Sequence, residues 1–409
     1  MTFQEKILKL EPVNLFEYYD EFPEFRALHK TDQSPKWHAE GDVLTHTNMA
    51  IKEALSYAHA LAEASGNIQD GISVYLGTLM HDFGKPQATF EKEGRLVAYG
   101  HESIGVSVAR DFLRKNFPQF GYARREWLLS LVEFHGHPKR MIKDGSSNIK
   151  FKKLSLDVNT KQVYCLEQAD FRGREAKDIK TSLNYLYKFK DKCIAMNLWD
   201  TKYEIPNSRF MSQHVYANLR WRILFNHAKE DDKKTVLNTL RLMGKPPLEL
   251  MIMMGAPGSG KTTHRETIYP HIETICMDEE RKRLCGTEND MSKNAEVYDN
   301  CFKAFCDNMK ARKNTIWDAT STSRKGRKRI IDVARRLGAQ VSIVTFDIPL
   351  DVLLKRNAGR VKRVPDDIVK KFYHQIQSPK SYEYDRLLVV DENVKYEEGK
   401  DAIQTKTNS

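Results

Sequence analysis

Residues 255–262 read Gly-Ala-Pro-Gly-Ser-Gly-Lys-Thr, which satisfies the spacing G-x4-G-K-[ST] without a gap. The chemistry needs those types in that order. Gly255, Gly258 and Gly260 let successive backbone N–H groups turn inward around phosphate oxygens, with Ala256, Pro257 and Ser259 filling the loop between them. Lys261 then reaches the β- and γ-phosphates, the Thr262 hydroxyl ligates Mg²⁺, and Thr263 continues into a helix whose positive end faces the anion. The expected ligand is ATP, or another nucleoside triphosphate, with Mg²⁺.

Polar residues further on would turn binding into transfer. In 278-DEER-281, the carboxylate of Asp278 is suited to accept a proton from an attacking hydroxyl. Arg281 follows at helical spacing, where a guanidinium can hold an acceptor phosphate. Asp318 is a candidate partner for Mg²⁺ or a stabiliser of the acceptor pocket. Arg356 and Arg360, four apart in 354-LKRNAGRVKRVP-365, would share one helical face and clamp the transferring phosphoryl group. Taken singly, each also fits a blander role, as a helix cap or part of a solvated basic face.

A second set lies in the first half of the chain: His46, the pair His81-Asp82, His101, His135 and Asp170. Several stand in otherwise apolar helical stretches. A polar side chain there must be hydrogen-bonded or metal-bound, or it costs roughly 1–3 kcal/mol of desolvation. Imidazole plus carboxylate suits Mn, Fe, Co, Ni or Zn better than Mg. Lys85, just after the pair, is a candidate contact for a substrate phosphate or an ordinary helix-end lysine.

The elements that must position these groups fall into two kinds. Apolar residues recur at three and four through 43–64, 71–82, 103–117 and 125–136, which predicts a helical first domain over 1–240 with little strand. Its stretch 174–235 is basic with interleaved aromatics (Tyr185, Tyr187, Phe189, Trp199, Trp221), a pattern that fits either core or an RNA-contacting surface. Gly244, Pro246 and Pro247 mark a connector at 241–248. Over 249–397, strand-like runs at 248–254, 272–277, 315–319, 340–348 and 387–392 alternate with helices starting near Lys261, Glu279, Lys293, Arg327, Leu350 and Asp366. That alternation predicts a parallel sheet with ligands at the strand carboxyl ends. A polar tail fills 398–409. The fold class expected is multi-domain: an all-α helical bundle followed by an α/β P-loop domain.

Composition sets the outer limits. The chain of 409 residues exceeds one ordinary core, and its 40% hydrophobic and 30% charged content is that of a soluble globular protein. No apolar run approaches a membrane span, the amino-terminal residues lack a signal-peptide pattern, and six scattered cysteines form no metal or disulfide framework. A cytoplasmic protein is expected. The net charge of +11 fits a polyanionic partner, and equally a well-solvated surface.

The histidine segments 37-WHAEGDVLTHT-47, 79-LMHDFGKP-86, 99-YGHESIG-105, 133-EFHGHP-138 and 168-QADFRGR-174 resemble the HD domain appended to bacterial CCA-adding enzymes, in the same order. That resemblance implies an HD metal-dependent phosphohydrolase in which His46, His81, Asp82 and Asp170 bind one metal, His101 and His135 a second, and Asp82 bridges. The phosphate loop, the D-x-x-R, the W-D-A-T segment and R-N-x-x-R with a trailing V-P are similar to the kinase domain of bacteriophage polynucleotide 5′-kinase. It implies ATP and Mg²⁺ roles for Lys261 and Thr262, a general base in Asp278, an acceptor-phosphate ligand in Arg281, and lid arginines in Arg356 and Arg360. Thr262 replaces the phage serine, and 284–312 departs from the phage pattern on the acceptor side.

The two together resemble the bacterial HD-domain polynucleotide kinases, bifunctional RNA end-healing enzymes. The implied substrate is RNA (or DNA) carrying a 5′-OH and a 2′,3′-cyclic phosphate or 3′-phosphate, handed on to an RNA ligase, with no membrane partner. A nucleotide phosphohydrolase fused to a nucleoside or small-metabolite kinase is the alternative, and an ATP-switched RNA-binding module a third.

Overall fold

The structure is a computed structural model and describes residues 1–35, 37–201, 248–287, 290–360 and 363–393. The expected connector (apart from Leu248), the basic stretch beyond 201 with Trp221, the boundary at 240 and the tail at 398–409 lie outside the described residues. The chain divides into two compact units, residues 1–204 and 205–409.

The first unit is helical. Helices α1 (Phe3–Leu8) and α2 (Pro23–His29) precede α3 (Val43–Ser65), α4 (Ile68–Met80) and the short α5 (Lys85–Ala88). A hairpin of β1 (Phe90–Lys92) and β2 (Arg95–Val97) leads into α6 (His101–Asn116), α7 (Tyr122–Phe134), α8 (His137–Lys143), α9 (Asn148–Asp157), α10 (Thr160–Arg172) and α11 (Ile179–Ala195). Local chemistry sets the ends of α3. The Asp42 carboxylate accepts from Thr45 N at 2.8 Å, and Gly66 stops the helix at a left-handed φ of 65°. Every residue from Gly71 to Met80 is buried, so α4 is the core helix, packed by α1, α3, α7 and α10.

The hairpin was not expected from the sequence. Its strands are three residues each, too short for alternation to register. The turn carries the one local signal: Glu93 and Gly94 both take positive φ, 52° and 70°, as a two-residue hairpin turn of right-handed twist requires.

The second unit is a five-stranded, wholly parallel sheet: β3 (Glu249–Met254), β4 (Glu273–Cys276), β5 (Thr315–Asp318), β6 (Gln340–Phe346) and β7 (Arg386–Val390), in the order β4-β5-β3-β6-β7. Helices α12 (Lys261–Ile268), α13 (Met277–Cys285), α14 (Asn294–Lys310), α15 (Arg324–Arg336), α16 (Leu350–Ala358) and α17 (Asp366–His374) make the crossovers. On β3, Leu250, Ile252 and Met254 join one hydrophobic cluster while Met251 and Met253 join the other. A strand buried on both faces must be apolar throughout, which explains the unbroken run. Register aligns Asp318 with Met253 on one side and Cys276 on the other, so three strands end together beside the phosphate loop.

Candidate active sites

In the first unit, helix ends bring the histidines together. His81 and His135 stand just past the carboxyl ends of α4 and α7, and each donates from Nδ1 to the carbonyl three residues back, Thr78 O and Val132 O, both at 2.6 Å. His101 opens α6 and donates likewise to Ala98 O at 2.7 Å. His46 lies within α3, its Nδ1 3.0 Å from Glu40 Oε1. With Nδ1 of His81, His101 and His135 bonded to a carbonyl and that of His46 turned toward Glu40, Nε2 is the nitrogen left facing the centre.

Two close approaches set the spacing between these elements. A Cβ on Gly84 would meet His101 O at 2.0 Å, and one on Gly173 would meet Ala50 Cα at 2.4 Å. Glycine therefore lets the turn after Asp82 lie against α6, and the end of α10 lie against α3.

Two groups result: His46, His81 and Asp170 in one, Asp82, His101 and His135 in the other. His46 Nε2 is 3.0 Å from Asp170 Oδ1, and His81 Nε2 is 3.8 Å from it. Asp82 faces both groups. Its Oδ2 is 3.1 Å from His81 Nε2 and 3.7 Å from His46 Nε2, while its Oδ1 is 3.5 Å from His101 Nε2 and 4.0 Å from His135 Nε2. Ligands sharing one ion at bond lengths near 2.0–2.2 Å stand about 3.0–3.5 Å apart, close to this spread. His101 Nε2 and His135 Nε2 are only 3.0 Å apart. Burial, with repulsion from His101 and His81, lowers the His135 pKa to about 3, so near neutral pH its Nε2 carries a lone pair. Imidazole lone pairs converging beside a carboxylate are what a divalent cation reconciles, so the residues fit a metal centre.

The flanking charges act on the carboxylates. Burial opposes ionisation of Asp82, but neighbouring His81 and the Lys85 ammonium, 2.7 Å away, outweigh it and hold the carboxyl well below its usual range. Asp170 behaves alike: burial is outweighed by Arg174, whose Nη2 is 2.5 Å from Oδ2, and by His46. Lys85 also donates to Gln33 Oε1 at 2.6 Å, so the lysine proposed as a phosphate contact is engaged with protein groups here. A cavity of about 340 Å³ opens on this centre, lined among others by Trp37, His38, Lys139, Arg140 and Glu167.

Sequence reasoning missed Glu40, which accepts from His38 Nδ1 at 2.9 Å and from Glu175 N at 2.9 Å while facing His46. It missed Glu167 as well. That side chain is fully buried, one oxygen accepts from Lys139 N at 3.3 Å, and burial followed by the Asp170 charge pushes its pKa up to about 8. Arg174 stood in plain view, four residues after Asp170.

In the second unit, Gly258 and Gly260 take φ of 84° and 95°, turning the loop into α12. Gly255 N donates to Thr320 O at 3.0 Å, tying the loop to the segment after β5. Lys261 Nζ folds back onto Gly255 O (2.8 Å), Ala256 O (3.0 Å) and Ser259 Oγ (3.4 Å). Thr262 and Thr263 are exposed at the helix start. Burial lowers the Lys261 pKa, Asp318 and Asp278 oppose that, and Arg360 adds to it, so the charges of all three reach the lysine.

Asp278 lies in the first turn of α13, 70% exposed at its side chain, with Oδ1 2.5 Å from the nearly buried Arg281 Nη1. Arg281 also donates to Asn294 Oδ1, from Nε at 3.3 Å and Nη2 at 3.2 Å. Asp318 is buried, which raises its pKa, with Lys261 and then Arg265 opposing. Arg265 links three elements: Nε is 3.4 Å from Asp318 Oδ2 and Nη2 2.5 Å from Glu279 Oε1. Asn294 and Arg265 had not been singled out.

One expectation needs correction. Arg356 and Arg360 are not both helical, because α16 ends at Ala358 and Arg360 follows its cap Gly359, with Arg360 N donating to Asn357 O at 3.2 Å. The device at that end is the buried Asn357. Its Nδ2 donates to Val364 O (2.6 Å) and Asp366 Oδ1 (3.0 Å), and its Oδ1 accepts from Val364 N (3.1 Å). Asn357 closes the loop that carries Arg360.

Comparison with known proteins agrees at the level of domains. The family described as HD domain matches residues 50–178, and the family described as AAA domain matches residues 250–379. The chain thus couples a helical HD domain to an α/β P-loop domain of the kinase type. The Multifunctional CCA protein of Shewanella denitrificans is 31% identical over 94 residues, 23% of this chain and 20% of that protein. Its counterpart from Actinobacillus pleuropneumoniae serotype 5b is 28% identical over 158 residues, 37% of this chain and 36% of that protein. The chain therefore spans about a fifth to a third of the length of these relatives. Among solved structures, a Pnkp1/Rnl/Hen1 RNA repair complex aligns at 24% identity and a TM-score of 0.30, covering 33% of this chain and 46% of that one. A gluconokinase from Sinorhizobium meliloti 1021 aligns at 18% identity and a TM-score of 0.27, covering 36% and 85%.

Proposed function

We propose that this chain, an HD domain joined to a P-loop domain, restores both ends of broken RNA. The P-loop domain transfers the γ-phosphate of ATP, or another nucleoside triphosphate, to a 5′-OH. The HD domain hydrolyses a 2′,3′-cyclic phosphate or 3′-phosphate, leaving ends that an RNA ligase can join in the cytoplasm. One observation carries the reading: a single chain holds a two-group histidine–carboxylate centre and, beside its phosphate loop, a carboxylate paired with a nearly buried arginine.

On the kinase side, Lys261 leaves the loop carbonyls for the β- and γ-phosphates when the nucleotide enters. Asp278, exposed at the start of α13, takes the proton of the incoming hydroxyl, and the phosphate next to that hydroxyl pairs with Arg281. Arg360, whose charge reaches Lys261, offsets negative charge on the group in transit. Asp318 and the Thr262 hydroxyl would serve the Mg²⁺ that accompanies the nucleotide.

On the HD side, His46, His81 and Asp170 hold one divalent ion of the Mn, Ni, Co, Fe or Zn type, His101 and His135 a second, with Asp82 shared. Bound there, such ions supply Lewis-acid stabilisation of the phosphorus centre and activation of water. Arg174 keeps Asp170 ionised, Lys85 keeps Asp82 ionised, and Glu40 orients His46.

The test offers a 5′-OH, 2′,3′-cyclic phosphate RNA and, separately, free nucleosides, each with ATP, Mg²⁺ and Mn²⁺ or Ni²⁺. The expected products are 5′-phosphorylated RNA and an opened or removed 3′ phosphate. Faster phosphorylation of nucleosides than of RNA would favour the small-metabolite alternative.

A further inference from the structure

The HD unit buries its aromatic rings with few exceptions. Among the described residues before 202, the exposed large aromatics are Phe16, Trp37, Phe90, Tyr99 and Tyr187. One of these five lines the cavity on the histidine–carboxylate centre, and two more are next in sequence to residues that line it. Trp37, 42% exposed, lines the cavity that opens on the histidine–carboxylate centre. Phe90 (49%) opens β1 of the hairpin and Tyr99 (67%) follows β2; their chain neighbours Thr89, Leu96, Val97 and Ala98 line the same cavity. Single exposed aromatics need no explanation, but an exposed indole in the lining of a cavity that opens on buried histidines and carboxylates does.

These rings are held in place. Ala39 N donates to Glu175 O at 3.0 Å, Glu175 N returns a bond to Glu40 Oε2 at 2.9 Å, and Trp37 N closes a turn on Ser34 O at 2.9 Å. The indole thus projects from a loop tied to the metal-facing Glu40. Tyr99 meets Phe90 edge to face, with ring centroids 6.1 Å apart, and Lys92 Nζ lies 5.8 Å from its centroid. The cavity, about 340 Å³, is of a size for a small ligand such as one terminal nucleotide.

We propose that Trp37 is the stacking face for the terminal base of single-stranded RNA whose 3′ end is processed at the HD centre, with Tyr99 beside the hairpin as a second ring along the strand's approach. The inference rests on the hydrolase reading above and adds how the end is recognised. Every base presents a π-face, so an indole in the cavity lining binds ends of any sequence while the phosphate reaches the centre. Lys139 and Arg140 line the wall opposite in charge to the RNA backbone.

The test uses the full chain and two RNA oligonucleotides ending in a 2′,3′-cyclic phosphate, identical except that one has an abasic terminal ribose. The wild type is expected to favour the base-bearing end by roughly 5- to 100-fold in kcat/KM. In Trp37→Ala that ratio should fall toward one through KM, and Trp37→Phe should keep most of it. Tyr99→Ala should lower it in part. A ratio near one in the wild type overturns the proposal. So does an equal loss on both ends in Trp37→Ala, which would mark the rings as a protein-packing surface. Wild type that opens neither end overturns the hydrolase reading itself, and the platform falls with it.

Discussion

Of the four histidines at the HD centre, His81, His101 and His135 donate from Nδ1 to a carbonyl three residues back, and His46 sets Nδ1 3.0 Å from a side-chain oxygen. His46 differs, because its oxygen belongs to Glu40, whose other oxygen accepts from Glu175 N. Glu40→Ala should therefore lower metal affinity by about 10- to 100-fold, read by titration with Mn²⁺ or Ni²⁺, while Glu40→Gln should retain more of it. Glu167 gives a pH signature in metal-free protein. Its folded pKa of about 8 lies above the ordinary 4.5, so between those values the folded chain keeps a proton that the unfolded chain has released. Stability must then fall as pH rises through that window. Glu167→Gln should flatten the fall, measured as urea midpoints between pH 4.5 and pH 8. The ligand candidates themselves were legible in the sequence, since histidine and aspartate in apolar helices demand a partner. Glu40, Asn294 and Arg265 were not, because their partners lie in other elements and an exposed-looking Glu or Asn carries no local signal.

At the scale of elements, α4 and the central strands β3, β5 and β6 were readable for one reason: burial on all sides forces a continuous apolar run. The hairpin and the end of α16 were not readable. Three-residue strands have no period, and Arg360 follows at helical spacing although Gly359 has already ended the helix. Close approach makes its own prediction. Gly84→Ala puts a methyl against His101 O, with no flexible side chain to move aside. It should destabilise the HD unit by at least ~1–3 kcal/mol and abolish 3′-end hydrolysis, with 5′-phosphorylation retained. Asn357→Ala should act in the other unit. With the clamp on Val364 and Asp366 gone, the Arg360 loop loses its fixed position, and kinase kcat/KM should drop roughly 10-fold or more, one bonded polar side chain being worth about 1–3 kcal/mol.

At the scale of the whole molecule, the account assigns two phosphate chemistries to one chain, each with its own metal requirement. Soft or borderline ions belong with the imidazoles of the HD unit, and Mg²⁺ with the phosphate loop. Chelation followed by Mg²⁺ alone should therefore restore 5′-phosphorylation and leave 3′ ends unprocessed until Mn²⁺ or Ni²⁺ is added. The division of labour is tested most directly with one RNA, bearing a 5′-OH and a 2′,3′-cyclic phosphate, given in turn to Lys261→Ala, Asp278→Ala, His81→Ala and Asp82→Ala proteins. The account predicts that the first two lose only the 5′ reaction and the last two only the 3′ reaction, each by several orders of magnitude. Loss of both reactions in any one folded variant, or a 3′ reaction that survives His81→Ala and Asp82→Ala, would contradict it.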